Sequence, residues 1–226
     1  MHRILVLNAK GGCGKTTIAT NLAGYFSAMG QVTALLDYDP QGSSMKWLSL
    51  RSSDRTDIQG IAAYQRRMGV TRSFHMRLPD KATNVVIDAP AGLSGLQLVE
   101  YIQTADTIIL PVLPSPIDIH AVAHFIQDLL LIGKIRSRGI QAGIVANRVR
   151  ENTLVFKDLE RFLTTLGLPL VTTLRDSQNY IRAAEQGLSI HELEGNRVLP
   201  DIIRWTPLIN WIDQQSTLRS MLQLQR

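Results

Sequence analysis

Cysteine is nearly absent: the 226-residue chain has one, Cys13, so no internal disulfide staples it and a reducing, cytosolic setting is the expectation. Long apolar runs are missing too, since none approaches the roughly 20 residues that span a bilayer. The opening MHRILVLNAK reaches a glycine-rich turn too early for a signal peptide and lacks a small-residue cleavage site. Internal repeats and low-complexity blocks do not occur. His75, His120, His124 and His191 form no metal-ligand grouping. His120 and His124 stand one helical turn apart, but no HExxH frame surrounds them, and solvated or capped histidines are expected. What is present is 45% hydrophobic and 19% charged residues, the composition of a soluble globular protein. The length suits one domain over residues 1–226 with an ample core. A net charge of +5 with a pI near 9.6 makes polyanions plausible partners, although a solvated surface explains it equally well.

Apolar runs bounded by turn residues recur at 3–7 (RILVL), 32–36 (VTALL), 84–88 (NVVID), 107–112 (TIILPV), 142–147 (AGIVAN) and 168–173 (LPLVTT). Unbroken runs of this length predict buried parallel strands. Helical periodicity falls between them, over Thr16 to Met29 closed by Gly30, Ile117 to Ile135, and Thr153 to Leu166 closed by Gly167. Alternation of this kind predicts an α/β fold, a mostly parallel twisted sheet with helices on both faces. The Arg51 to Asp80 interval predicts an edge excursion, with a short strand near Ile58 and a helix near Ala62. The segment from Leu199 onward is helical in period, and Pro207 is expected to interrupt or restart it.

The first predicted strand runs into GGCGKTT and then a helix, the setting in which backbone N–H groups and a helix N-terminus cradle phosphates. Gly11, Gly12 and Gly14 let the backbone approach oxygen closely, Lys15 would reach the β- and γ-phosphates, and the Thr16 hydroxyl would ligate Mg2+. Against G-x-x-x-x-G-K-[ST] the match is a variant, because Ala9 holds the first glycine position. After the second strand, LLDYDPQGSS sets Asp37 and Asp39 two apart on one side of an extended segment. Two acids beside a triphosphate imply an intervening cation and an oriented water, and an Asp-Pro turn with exposed acids is the alternative. NVVIDAPAG delivers Asp88 to a strand end, where it would hold Mg2+ or cap a helix.

KGGCGKTT, DYDPQ and VIDAPAGLS, with ILPVLPSPIDIHAV and IVANRV, resemble the deviant Walker A, A′ and B elements of the ParA/MinD family of P-loop ATPases. The likeness is strongest to its short members without an N-terminal helix-turn-helix domain, and runs from residue 3 to about 195. It implies a P-loop NTPase fold, ATP and Mg2+ as cofactors, and weak, partner-stimulated hydrolysis of ATP. It makes Lys10 the signature lysine that crosses a sandwich dimer to the nucleotide of the other subunit. Such a charge acts strongly where a sealed interface removes solvent screening, while a solvated lysine at a loop edge is the alternative. It implies that Asp39 serves hydrolysis and that Asp37 supports the metal's waters. Asn147 matches an adenine-reading asparagine, with a strand-end turn former as its alternative. Asp176, in LRDSQNYIRAAEQGLSIHE, falls in the segment that closes over the base. The nucleotide set is thus Gly11, Gly12, Cys13, Gly14, Lys15, Thr16, Thr17, Asn147 and Asp176, with Cys13 at a variable loop position.

The resemblance further implies an ATP-dependent homodimer, nonspecific DNA and a ParB-like or cargo-adaptor protein as partners, in a cytoplasmic, nucleoid-associated setting. Basic residues that would meet DNA are Lys134, Arg136, Arg138, Arg148, Arg150, Arg197, Arg204 and Arg219. Plasmid, chromosome locus and protein assembly such as a carboxysome all fit as cargo. A MinD-like membrane-surface role is the competitor, but STLRSMLQLQR has little positive charge and no aromatic anchor, so Leu218, Met221, Leu222 and Leu224 are expected to pack against the domain. A small-molecule ligase or kinase is a more distant alternative. A redox reductase of the nitrogenase-iron-protein type is excluded, because no cysteine outside the phosphate loop exists to ligate a cluster.

Overall fold

The computed structural model describes residues 1–65, 77–150, 161–162 and 167–224. Its first half comprises β1 (His2–Val6), α1 (Lys15–Ala28), β2 (Thr33–Asp37), α2 (Ser43–Ser49), β3 (Gln59–Ala62) and β4 (Asn84–Asp88). It continues with α3 (Gly95–Ile102), β5 (Thr107–Val112), α4 (Pro116–Leu131), β6 (Gln141–Val149), β7 (Leu170–Arg175), α5 (Asn179–Glu185) and α6 (Leu199–Leu224). The seven strands form one parallel sheet in the order β3-β2-β4-β1-β5-β6-β7. This is the expected α/β P-loop architecture. The first strand lies at the centre, where the chain's direction of growth switches, and loops at the carboxyl ends of such strands form the ligand crevice.

Alternate residues of each strand enter opposite cores. Leu5, Leu36, Val85, Ile87, Ile108 and Ile144 pack with Leu98 and Ile102 of α3 and with Phe125 and Leu129 of α4. Ile4, Val6, Leu35, Val86, Ile109 and Val145 pack on the other face against Ile18, Leu22 and Phe26 of α1 and Trp205, Leu208 and Ile212 of α6. Both sheet faces are therefore covered, which is why the strands read as continuous apolar runs rather than as alternation.

The short strand expected near Ile58 is β3, at the sheet edge. Ala62 itself ends that strand, in register with Asp37 of β2, and residues 66–76, over which a helix near Ala62 would run, lie outside the described residues. The predicted helix over 153–166 lies outside the described residues except for 161–162, as does His75. Pro207 does not interrupt α6. Its ring faces solvent while Trp205, Leu208, Ile209 and Ile212 are buried around it, so packing on the sheet carries the helix across the one lost N–H. Two further expectations are corrected. Leu218 and Met221 are 55% and 57% exposed rather than packed, because α6 runs on past its last core residue, Ile212. His191 is not a solvated histidine: its ring lies 4.8 Å from Tyr25 and 5.7 Å from Trp205, and burial lowers its pKa to about 4.

Candidate functional site

The glycine-rich loop between β1 and α1 is braced from several sides. Buried Asn8 donates to the Pro111 carbonyl at 2.6 Å and accepts the Lys10 N–H at 3.1 Å, tying the loop's start to β5. The Gly92 N–H donates to the Ala9 carbonyl at 2.8 Å, so the turn after β4 is joined to the same loop. At the far end Asn147 Nδ2, from β6, donates to the Cys13 carbonyl at 2.8 Å. Gly14 then enters α1 with φ +98°, and a Cβ there would run into Asn147 Nδ2. Glycine at this position is required twice over, by dihedral and by space. Gly12 has φ +75° but open space around it.

Lys15 is buried, and its ammonium donates to the Lys10 carbonyl at 3.1 Å, inside the curve of the loop. Cys13 Sγ points to the same carbonyl at 3.3 Å, which gives the thiol a structural place. Lys10 itself is half-buried at the rim. The turn leads directly into the first turn of α1, the strand–loop–helix setting in which backbone N–H groups can cradle an anion.

Two strand ends place the acids. Asp37 and Asp88 are register partners on β2 and β4, and Asp88 is level with Val6 of β1, one residue before the loop begins to turn. Asp37 Oδ1 accepts the Asp39 N–H at 3.0 Å, and its Oδ2 accepts the Ser44 and Met45 N–H groups at 3.1 and 3.2 Å. It thus satisfies the N-terminal donors of α2, whose N-cap Gly42 has no side chain to do so. Burial raises the Asp37 pKa despite these donors. Asp39 is half-buried, and its Oδ1 accepts the Gln41 N–H at 3.0 Å.

Asp88 Oδ2 accepts two hydroxyl donors, Thr16 Oγ1 at 2.8 Å and Ser44 Oγ at 2.7 Å. Its Oδ1 is buried and has no hydrogen-bond partner. Burial, reinforced by the Asp37 charge, raises its pKa to about 6 against the pull of Ser44, Thr16 and Lys15. A buried acceptor left without a donor is costly in a finished structure and marks a place for a further group. Mg2+ fits: the site offers hard oxygen donors from Thr16, Asp88 and Asp37. Among the described residues no set of three His, Cys, Asp or Glu side chains forms a complete metal cage. Mg2+ bound by one or two carboxylates with water and phosphate is the usual arrangement.

A scan of family models matches residues 4–190 to the CobQ/CobB/MinD/ParA nucleotide binding domain. The chain belongs to that family. A curated relative of near-equal length, maintenance of carboxysome distribution protein A of Halothiobacillus neapolitanus, is 30% identical over 210 residues, covering 88% of this chain and 95% of its own. This places the family member among the McdA/ParA-like positioning ATPases. The structure of apo McdA from Cyanthece superposes with a TM-score of 0.68 at 16% identity, covering 95% of this chain and 99% of that one. Pyrococcus horikoshii MinD, solved as its Mg-ADP complex, gives 0.64 at 15% identity, with 90% and 93% covered. At such identities both likenesses speak for the fold.

The remaining sequence-predicted residues are distributed unevenly. Thr17 is in the first turn of α1, and Asn147 stands beside the loop with its amide nitrogen committed to the Cys13 carbonyl. Asp176 follows β7 and pairs with Arg150 at 2.9 Å, both side chains well exposed. Exposed Lys134, Arg136 and Arg138 precede β6, whereas Arg148 and Arg150 close it. Strand rise over β6 separates those two groups by roughly 25 Å, so they form no common patch on one chain. Arg197 is exposed before α6, Arg204 is half-buried on it, and the Arg219 side chain lies outside the described ones. Two contributors went unrecognised in sequence: Asn8, whose only signal was a polar residue ending an apolar run, and Ser44, in the first turn after DPQG. Among the described residues no helix is long and apolar enough to cross a membrane.

Proposed function

We propose that this chain is a ParA-type switch that positions a cargo through an ATP-dependent sandwich dimer. The carrying observation is Asp88, a buried carboxylate with one unpartnered oxygen beside the phosphate-loop Thr16. In this reading Mg2+, when bound, neutralises phosphate charge. Thr16 and Asp88 would hold it, and Asp37, whose Oδ1 has room for a second donor, would accept from its waters. The loop N–H groups bind the β- and γ-phosphates, and Lys15 turns from the Lys10 carbonyl to the γ-phosphate. Asp39, beyond the end of β2, orients the attacking water. Lys10 lends its charge to the nucleotide of a second subunit, where exclusion of solvent strengthens it.

Closure of two chains would gather basic residues that one chain keeps apart, giving salt-sensitive, nonspecific DNA binding. A partner that stimulates hydrolysis would then release the dimer. The full-length likeness to a carboxysome-distribution protein favours a protein assembly over a plasmid as cargo. DNA retention of the protein with ATP and Mg2+, absent with ADP and falling with salt, is the expected result; equal retention of the apo protein overturns the switch.

A second reading gains from the structure. Exposed Leu218 and Met221 on the outer turns of α6 give a MinD-like membrane-surface role an apolar foothold. Co-sedimentation with anionic vesicles, lost in Leu218→Ser/Met221→Ser, would support it over DNA.

A further inference from the structure

Asp37 and Asp88 confront each other across β2 and β4, in register and almost fully buried. Burial raises the pKa of both, and the Asp37 charge adds to the rise at Asp88. Two donors from one residue bridge them. Ser44 supplies both: its N–H goes to Asp37 Oδ2 at 3.1 Å and its hydroxyl to Asp88 Oδ2 at 2.7 Å. It has no solvent-exposed surface, so no water can replace the hydroxyl. The backbone around it is fixed from the other end of α2, where the Trp47 indole N–H donates to the Leu188 carbonyl at 3.1 Å. Arg51 extends the anchor through its ion pair with Glu192 at 2.6 Å.

Resting on the ATPase reading above, we propose that Ser44 is a positioning residue for the metal site. Its hydroxyl fixes the rotation of the Asp88 carboxylate so that Oδ1 is presented unpartnered. Thr16 alone cannot do this. Its hydroxyl oxygen, in the first turn of α1, is the atom that would ligate Mg2+ in the family pattern. Ser44 donates to the same Oδ2 from a different element, α2, and with Thr16 takes up both acceptor positions of that oxygen, which fixes the carboxylate's plane. Partners that orient a metal's ligands from behind commonly change metal affinity by about 10–100-fold when removed.

The test measures ATP affinity in EDTA and in Mg2+ for the wild-type protein, Ser44→Ala and Ser44→Thr, with thermal unfolding of each nucleotide-free protein as a check on folding. The expected result is that Ser44→Ala binds ATP normally in EDTA but loses about 10–100-fold of the metal-dependent gain, while Ser44→Thr, which restores the hydroxyl, recovers it. Should the extra methyl of Ser44→Thr disturb the fold, Ser44→Cys, a near-isostere with a weak donor, is expected to fall between wild type and Ser44→Ala. A Ser44→Ala protein that keeps the full metal-dependent gain, or that loses EDTA and Mg2+ binding equally, overturns the proposal. A wild-type protein with no metal-dependent gain overturns the ATPase reading itself.

Discussion

Replacing Asp88 with asparagine should make the nucleotide-free protein more stable while disabling its metal site. Asp88 is buried at the end of β4, with a pKa raised from 3.8 to about 6 chiefly by burial. For an acid whose folded pKa is raised, the folded state binds more protons than the unfolded chain between those two values. Its favourable contribution is present below about 3.8 and lost as pH rises through about 6. Above that pH the native state carries a buried carboxylate it would rather protonate. At about 1.36 kcal/mol per pH unit the gap between 3.8 and about 6 comes to about 3 kcal/mol. Asparagine keeps the shape and an oxygen for the Thr16 and Ser44 hydroxyls but carries no charge. For a chain of this size about 3 kcal/mol corresponds to a Tm rise of about 6–12 °C. Thermal unfolding without nucleotide or metal should show that rise at about pH 8, shrinking steadily towards about pH 4 as wild-type Asp88 protonates. ATP with Mg2+ should stabilise the wild type and leave Asp88→Asn little changed. An Asp88→Asn protein less stable than wild type at pH 8, or a gap that does not close on acidification, refutes the reasoning.

Gly14→Ala should cost about 1–3 kcal/mol from its positive φ alone and more from its collision with Asn147. Gly12→Ala, strained in dihedral but meeting nothing, should unfold at a higher denaturant concentration, and Gly14→Ala/Asn147→Ala should recover part of the difference. Glu192→Ala strips the partner from Arg51, in a pair whose side chains are 4% and 5% exposed, and should destabilise by about 3–5 kcal/mol; a Tm within a degree or two of wild type would show that the pair is not isolated from water. Asp39→Ala should retain ATP-dependent DNA binding and stop turnover, and rapid phosphate release by that variant rejects its assigned role.

How much of this was legible in the sequence depended on range. Strands buried on both faces write their positions as apolar runs, so NVVID and TIILPV coincide with β4 and β5 to the residue. The phosphate loop and the three aspartates were legible because local turn chemistry and strand ends fix them. Contacts between distant segments leave no local mark. Arg51 finds Glu192, and Ser44 finds Asp88, only because parallel crossovers fold those segments together. Pro207 misled because its lost hydrogen bond is a local signal overridden by the burial of Trp205 and Leu208 on either side. Leu218 and Met221 misled in the opposite sense. Apolar residues at helical spacing ordinarily record a core, but α6 outruns the sheet that would cover Leu218 and Met221.

The central claim is that two copies of this chain close around ATP, each supplying Lys10 to the nucleotide of the other. Light scattering of the eluting protein measures it most directly, with Mg2+ and a non-hydrolysable ATP analogue, for wild type and Lys10→Ala. The account predicts twice the 25.2 kDa chain mass for wild type and the single-chain mass for Lys10→Ala. A wild type that stays at one chain, or a Lys10→Ala variant that pairs as tightly, contradicts it.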